Sequence, residues 1–202
     1  MDFDPREVRP AVFYQHMIRT IVPRPIAWVS TVSGAGVSNV APFSYFTGVG
    51  SRPPSLLFCP ANNREGESKD TLRNIEENGE FVVNIVSGDV ARPMNDSAAS
   101  LPPDQSEFAA CGLTEAKSHK VAPPSVAESP VHYECRVMQL LNIGDGPGGA
   151  NIVLGEVVHL HIDERVIGTD GFADPQLLDA VGRMGGLTYC RTTDRFELDR
   201  PQ

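Results

Sequence analysis

No Asp or Glu occurs between Val8 and Asn63, although the chain of 202 residues carries a formal net charge of −9. That stretch holds Arg9, Arg19, Arg24 and Arg52, a formal +4, so the rest of the chain sums to −13. A globally negative field works against nucleic acid, whose binding relies on neutralising phosphates with Lys and Arg. The locally positive region has two readings: a place for one small anion, or a strand-rich core segment with few charges of either sign. Cysteine is scarce as well. Cys59, Cys111, Cys135 and Cys190 lie far apart, with no C-x-x-C and no metal-ligand spacing. They read as core packing in a reduced setting, not as a disulfide frame or a zinc site. No apolar run approaches the ~20 residues of a membrane helix. The start, MDFDPREVRP, is acidic and has no apolar leader. The expectation is a cytoplasmic protein with neither a membrane nor a nucleic acid as partner.

Catalytic signatures are equally sparse. There is no G-x-S-x-G, and none of the five histidines pairs visibly with a serine or cysteine. G-x-G-x-x-G and Walker A runs are absent too, which removes a Rossmann crevice and a P-loop. His159 and His161 sit two apart and share one face of a strand, but no third ligand suggests itself. They read as the polar outer face of a barrel strand, and no metal site is expected.

What is present is an ordinary globular composition, 41% apolar and 21% charged, with 18 glycines and 17 prolines that favour turns and short elements. RPIAWVSTV (Arg24–Val32) reads as a buried strand closed by the turn SGAG, and VSNVAPFSYF returns from it as a second strand. Pro42 has no N–H for a ladder, so that second strand belongs at an edge or bulges. PSLLFCPA (Pro54–Ala61) and EFVVNIVS (Glu80–Ser87) read as further strands. Between them, SKDTLRNIEENG reads as a helix with Ser68 or Asp70 as cap, Leu72 and Ile75 on one face, and Asn78-Gly79 as the stop. Short helices or loops fill 89–112. VHYECRV (Val131–Val137) alternates, and DGPGGA turns it into the long strand NIVLGEVVHLHID. Asp174-Pro175 opens a short helix that Gly185-Gly186 ends. Hairpins with few helices argue for one domain built on a closed or partly closed antiparallel barrel.

A flavin mononucleotide asks for an apolar wall beside its ring, small polar partners for the ribityl chain, and hydroxyls, N–H groups and a cation for its phosphate. SNVAPFSYF offers small residues, an Asn and a Ser hydroxyl. SKDT offers Ser68, Lys69 and Thr71 at a helix start, where unpaired N–H groups favour an anion. RPIAWVSTVSGAGVSNVAPFSYF, KDTLRNIEENGEFVVNIVS, MNDSAA, LGEVVHLHID and GRMGGLTYCRTTDRFEL together resemble the flavin-reductase-like family with the FMN-binding split barrel, over roughly Tyr14 to Leu198. The resemblance implies a six-stranded Greek-key barrel with a few short peripheral helices, dimerising to hold FMN at the subunit interface. It implies hydride transfer from NADH or NADPH to FMN, with reduced flavin passed to a partner such as a flavin-dependent monooxygenase. A flavoredoxin-like electron carrier and an FMN-dependent oxidase or oxygenase are the alternatives. No side chain is expected to do acid–base chemistry, since the cofactor carries it. Carried onto this chain, the resemblance puts Ser30 and Thr31 near the flavin. Asn39, Val40, Ala41 and Pro42 line its ring, mostly through backbone groups, and Ser44 lies toward the ribityl or phosphate. Ser68, Lys69, Asp70 and Thr71 form the phosphate end, and Asn84, Arg183, Gly185, Gly186 and Tyr189 complete the set. Relatives carry two basic residues before the Asp-Thr pair, where this chain has Ser68-Lys69; Arg24 or Arg64 are the substitutes to consider.

Overall fold

The computed structural model describes residues 1–201. Its elements run α1 (Pro10–Thr20), β1 (Ala27–Val32), β2 (Ser38–Phe43), β3 (Phe46–Ser51), β4 (Pro54–Phe58), α2 (Asp70–Asn78) and β5 (Glu80–Ile85). The short α3 (Ala91–Asp96) and α4 (Glu107–Ala110) follow, then the two-residue strands β6 (Glu115–Ala116) and β7 (Ser125–Val126). A long hairpin of β8 (Val131–Asn142) and β9 (Asn151–Ile162) precedes α5 (Pro175–Leu178), β10 (Val181–Arg183) and β11 (Tyr189–Arg191).

Seven strands, not six, form one antiparallel sheet in the order β2-β1-β5-β8-β9-β4-β3. The extra strand comes from VSNVAPFSYF, which does not run on as one strand. Phe43 ends the pairing of β2 with β1, and Phe46 begins a new pairing opposite Phe58 of β4. β2 is an edge strand, as Pro42 requires. Chain order leads from β4 to β5, yet β4 pairs with β9 across the β8–β9 hairpin, a Greek-key arrangement.

The two edges, β2 and β3, are joined by Ser44 and Tyr45 alone. Six strand spacings laid flat would separate those edges by about 29 Å. Three Cα steps span at most roughly 11 Å. The sheet must therefore curl until its edges approach, and among the described residues no ladder closes them. All seven strands accordingly send side chains into one core: Val29, Phe43, Phe46, Leu56, Phe58, Phe81, Val83, Cys135 and Val153 are among them. Leu72 and Ile75 of α2 join this core, each burial worth about 1.5–3 kcal/mol. A second cluster on the outer face packs Trp28 and Val40 against Met94, Phe108, Val126 and Val181.

Several local expectations change. α2 begins after Lys69, whose side chain caps nothing, and neither Ser68 nor Asp70 caps. Instead the Arg73 guanidinium folds back to the Asp70 carboxylate and the Ser68 carbonyl. Gly79 does stop the helix, at φ 70°, where a side chain would be strained. Asp174 caps α5 through Gln176 N at 2.6 Å, but that helix ends at Asp179, before β10. α1, which the sequence reading does not anticipate, buries no residue, so tertiary contact and not a core-facing stripe holds it.

Gly155 lies against the core: a Cβ there would stand 2.5 Å from Phe81 Cζ. Phe81 is fully buried and cannot yield. Gly155→Ala is expected to lower unfolding stability by about 1–3 kcal/mol in urea titration; an unchanged midpoint would show that the wall tolerates the methyl.

Candidate functional site

The residues singled out from sequence separate into two groups once folded. The first is an internal polar network beneath α2. Thr71 donates its hydroxyl to Asn39 Oδ1 at 2.9 Å, and Asn74 Nδ2 donates to Thr31 Oγ1 at 3.0 Å. Asn39 Nδ2 donates to Glu107 Oε2 at 2.9 Å, and the Val40 N–H donates to the same oxygen at 3.2 Å. Nearby, Asn84 donates to the Trp28 carbonyl and to Ser30 Oγ, while its own oxygen accepts from Val126 N at 2.8 Å. Ser30 in turn donates to the Pro124 carbonyl at 2.5 Å.

This alters what Ser30, Thr31, Asn39, Val40 and Asn84 can offer. All five are buried, and their polar groups already have partners inside the wall. The backbone of Val40–Pro42, expected to line the ring, has few N–H groups to spare. Val40's goes to Glu107, Ala41 lies in the ladder opposite Val29, and Pro42 has none. The Ala41 side chain packs toward the core enclosed by the sheet. Buried polar groups must be paired by the fold itself, and a strand pattern does not disclose with whom.

The second group gathers at the junction of β2 and β3. Arg24 is 5% exposed and meets no carboxylate among the described residues. Its guanidinium donates to the carbonyls of Ile18 (2.5 Å) and Ile21 (2.9 Å) at the end of α1, and to Met184 (2.8 Å). Its Nε approaches Ser44 Oγ at 3.4 Å. The helix's carbonyl end supplies the partial negative charge that a buried cation needs. Lys69 is exposed, forms no ion pair among the described residues, and places Nζ 5.8 Å from the Phe43 ring centre. Two cations therefore flank Phe43 and Ser44. Tyr45 Oη is buried there without a hydrogen-bond partner, and burial pushes its phenol pKa up. Arg24 and Arg183 exchange two backbone hydrogen bonds, of 2.9 and 2.8 Å, which brings the β10–β11 hairpin to the same place. Arg183 stacks on Tyr189 at 4.3 Å, and Tyr189 donates to Asn95 Oδ1 at 2.9 Å.

The arrangement suits a flavin phosphate at one end. Lys69 is an available cation reaching Phe43, the first turn of α2 behind it presents N–H groups, Ser68 precedes it in the chain, and Ser44 and the unpartnered Tyr45 hydroxyl follow Phe43. Asp70 is neutralised by Arg73, so it does not repel an anion. Tyr45, Arg73 and Glu107 escape sequence reading. Tyr45 stood inside the quoted motif, but only the fold shows its hydroxyl unpaired.

A flavin reductase like domain matches residues 18–191. The chain belongs to the flavin reductase-like family. It is a flavin-related oxidoreductase with the family's mainly β fold. It is 33% identical to nitrilotriacetate monooxygenase component B of Bacillus cereus, with a TM-score of 0.92 and 98% of each chain covered. It is 29% identical to the 2-nitrobenzoate 2-nitroreductase NbaA of Pseudomonas fluorescens, with a TM-score of 0.89 over 100% of this chain and 96% of that one. A split-barrel protein of Shewanella frigidimarina assigned to the flavin reductases shares the fold at a TM-score of 0.83 and 22% identity, over the full length of both chains. Among the described residues of this family member, no helix is long and apolar enough to cross a membrane.

Desolvation raises the pKa of Glu107 above 4.5, against the opposing hydrogen bonds from Val40 and Asn39. The folded state thus holds this proton more tightly than the unfolded chain does. Its contribution to stability is complete below the ordinary carboxylate range and is lost as pH rises through the folded value. Glu107→Gln keeps acceptor and shape without the charge. Its melting temperature relative to wild type is expected to rise as pH is taken from 4.5 toward 8, and to level off above the folded value. A pH-independent difference would place the cause elsewhere.

Proposed function

We propose that this protein is an NAD(P)H:FMN oxidoreductase that supplies reduced flavin to an oxygenase component. The observation that supports this reading is the β2–β3 junction, where Lys69 at the start of α2 reaches Phe43 and Arg24 reaches Ser44, next to Tyr45 with its unpartnered hydroxyl. FMN, when bound, supplies the hydride acceptor. The chain's own work is to hold and orient. Lys69 and the N–H groups of Asp70 and Thr71 hold the phosphate, and Ser44 and Ser68 add hydroxyls. Pro42 and the backbone of Ala41 bound the ring, and Arg183 with Tyr189 approaches from the C-terminal hairpin. Arg24 acts by fixing α1, Ser44 and the β10–β11 turn in one arrangement. The network of Thr31, Asn39, Thr71, Asn74 and Glu107 fixes β2 against α2, and Ser30 with Asn84 stiffens the neighbouring wall.

The exposed apolar side chains support a homodimer. Met138, Leu140, Leu141 and Ile143 project from the long hairpin, Val49 from β3, and Tyr14 and Met17 from α1. Exposed apolar side chains that gather into one surface mark a contact between chains. Leu141→Glu with Ile143→Glu is expected to convert the sedimenting species from dimer to monomer; a wild-type chain that already sediments as a monomer would remove the dimer.

The likeness to component B of a nitrilotriacetate monooxygenase favours delivery of reduced flavin to another protein. The likeness to a nitroreductase favours a second reading, in which a nitroaromatic compound is reduced directly. Loss of the nicotinamide absorption band on mixing NADH or NADPH with protein and free FMN is the expected result. No loss beyond the protein-free blank with either nicotinamide overturns the reductase and leaves an electron carrier. Loss only when a nitroaromatic is added selects the second reading. Lys69→Ala is expected to weaken FMN binding by about 1.5–3 kcal/mol, read as quenching of flavin fluorescence; equal affinity would move the phosphate away from α2.

A further inference from the structure

The ladder between β4 and β9 ends at Phe58↔Val153, yet the chain does not leave β9 there. The Pro60 carbonyl accepts from the Asn151 N–H at 3.1 Å, Ala61 bridges Ala150, and the Asn62 N–H donates to the Gly149 carbonyl at 2.8 Å. The segment that leads to α2 is thus laid along β9 as far as the β8–β9 turn. Three asparagine side chains fasten it. Asn151, 7% exposed, donates to the Pro60 carbonyl at 3.2 Å and to Asn62 Oδ1 at 3.0 Å. Asn142 Nδ2 donates to Asn151 Oδ1 at 3.1 Å, which fixes the way the Asn151 amide faces. Asn62 Nδ2 donates to the Gly146 carbonyl, inside the turn, at 3.2 Å. Gly66 packs on the same turn: a Cβ there would stand 3.0 Å from Gly146 Cα.

Little slack remains between this anchor and α2. The Asn63 N–H donates to the Glu67 carbonyl at 2.9 Å, and Asn63 Oδ1 accepts from the N–H groups of Glu65 (3.0 Å) and Glu67 (2.8 Å). The loop therefore closes on itself at Glu67, the residue before Ser68. From the other side, the Arg73 guanidinium of α2 holds the Ser68 carbonyl. Ser68 and Lys69 span the short gap between a loop pinned to the hairpin and the first turn of the helix. A lysine on a free loop spreads its charge over many positions, and ordering it subtracts from the affinity of whatever anion it meets. A backbone fixed on both sides removes much of that cost.

We propose that Asn62 and Asn151 are positioning residues for the cofactor phosphate, clamping this loop to the β8–β9 turn and so fixing where Lys69 stands. The proposal rests on the reading of Lys69 as the phosphate's cation. FMN titration of the full chain, followed by quenching of flavin fluorescence, tests it in wild type, Asn62→Ala, Lys69→Ala and the double variant. Asn62→Ala is expected to weaken FMN binding about fivefold with Lys69 present and less than about twofold once Lys69 is replaced. A clamp that acts through Lys69 has nothing to position without it. Asn142→Ala, at an exposed position, stands in if Asn62→Ala does not fold. It is expected to cost about twofold, again only with Lys69 present. An equal loss in both backgrounds overturns the proposal, since the asparagines would then serve the fold alone. No loss from Asn62→Ala, or from Asn142→Ala where it stands in, while Lys69→Ala weakens binding, overturns the clamp and leaves the phosphate reading standing. No loss from Lys69→Ala overturns that reading, and the clamp with it.

Discussion

Two residues, Ser44 and Tyr45, connect the opposite edges of a seven-stranded sheet, and the architecture follows from that short tether. A flat sheet cannot satisfy it, so the sheet curls and one face becomes a continuous interior. The same tether leaves a seam where the edges approach without pairing. Seams expose backbone and collect residues from distant parts of the chain, which is why the cations and unpaired hydroxyl lie there. Arg24 turns this local proximity into a rigid one. Its guanidinium reaches α1, the β2–β3 junction and the β10–β11 turn at once.

The polar residues of β1, β2, β5 and α2 divide the labour differently from what their position in a cofactor motif implies. Thr31, Asn39, Thr71, Asn74 and Glu107 satisfy one another in a region closed to water. A half-satisfied network would be costly in such a place, whereas a complete one holds strand and helix in a single register. The proposed binding surface is what lies just outside it: an exposed lysine, helix N–H groups, and small residues that let a ring approach. The network works as scaffold, and the seam is the proposed receiving surface.

Much of the fold was legible in the sequence because it rests on short-range rules. Pro42 marked β2 as an edge strand, Gly79 stopped α2, Asp174-Pro175 opened α5, and alternating apolar residues marked the strands. The extra strand was not legible, because nothing within PFSYF shows that the chain leaves one edge of the sheet for the other. α1 escaped for a related reason: no residue on it is buried, so no core-facing stripe marks it. His159 and His161 do face outward on β9, as their spacing indicates. What their spacing could not indicate is a buried Glu134 on the adjacent strand, covered by the segment that carries His119.

By itself the sequence determined the family, most of the long strands and several of the turns, and the acid-poor segment in which a small anion finds least repulsion. These depend on residue type, period and local backbone geometry. Tertiary structure alone decided which polar side chains would be sealed inside and which left open, and which cations would meet. Arg24, Ser44, Lys69 and Arg183 are separated by up to 159 positions along the chain. Their meeting depends on how far a tethered sheet must curl, a long-range condition that no local pattern encodes.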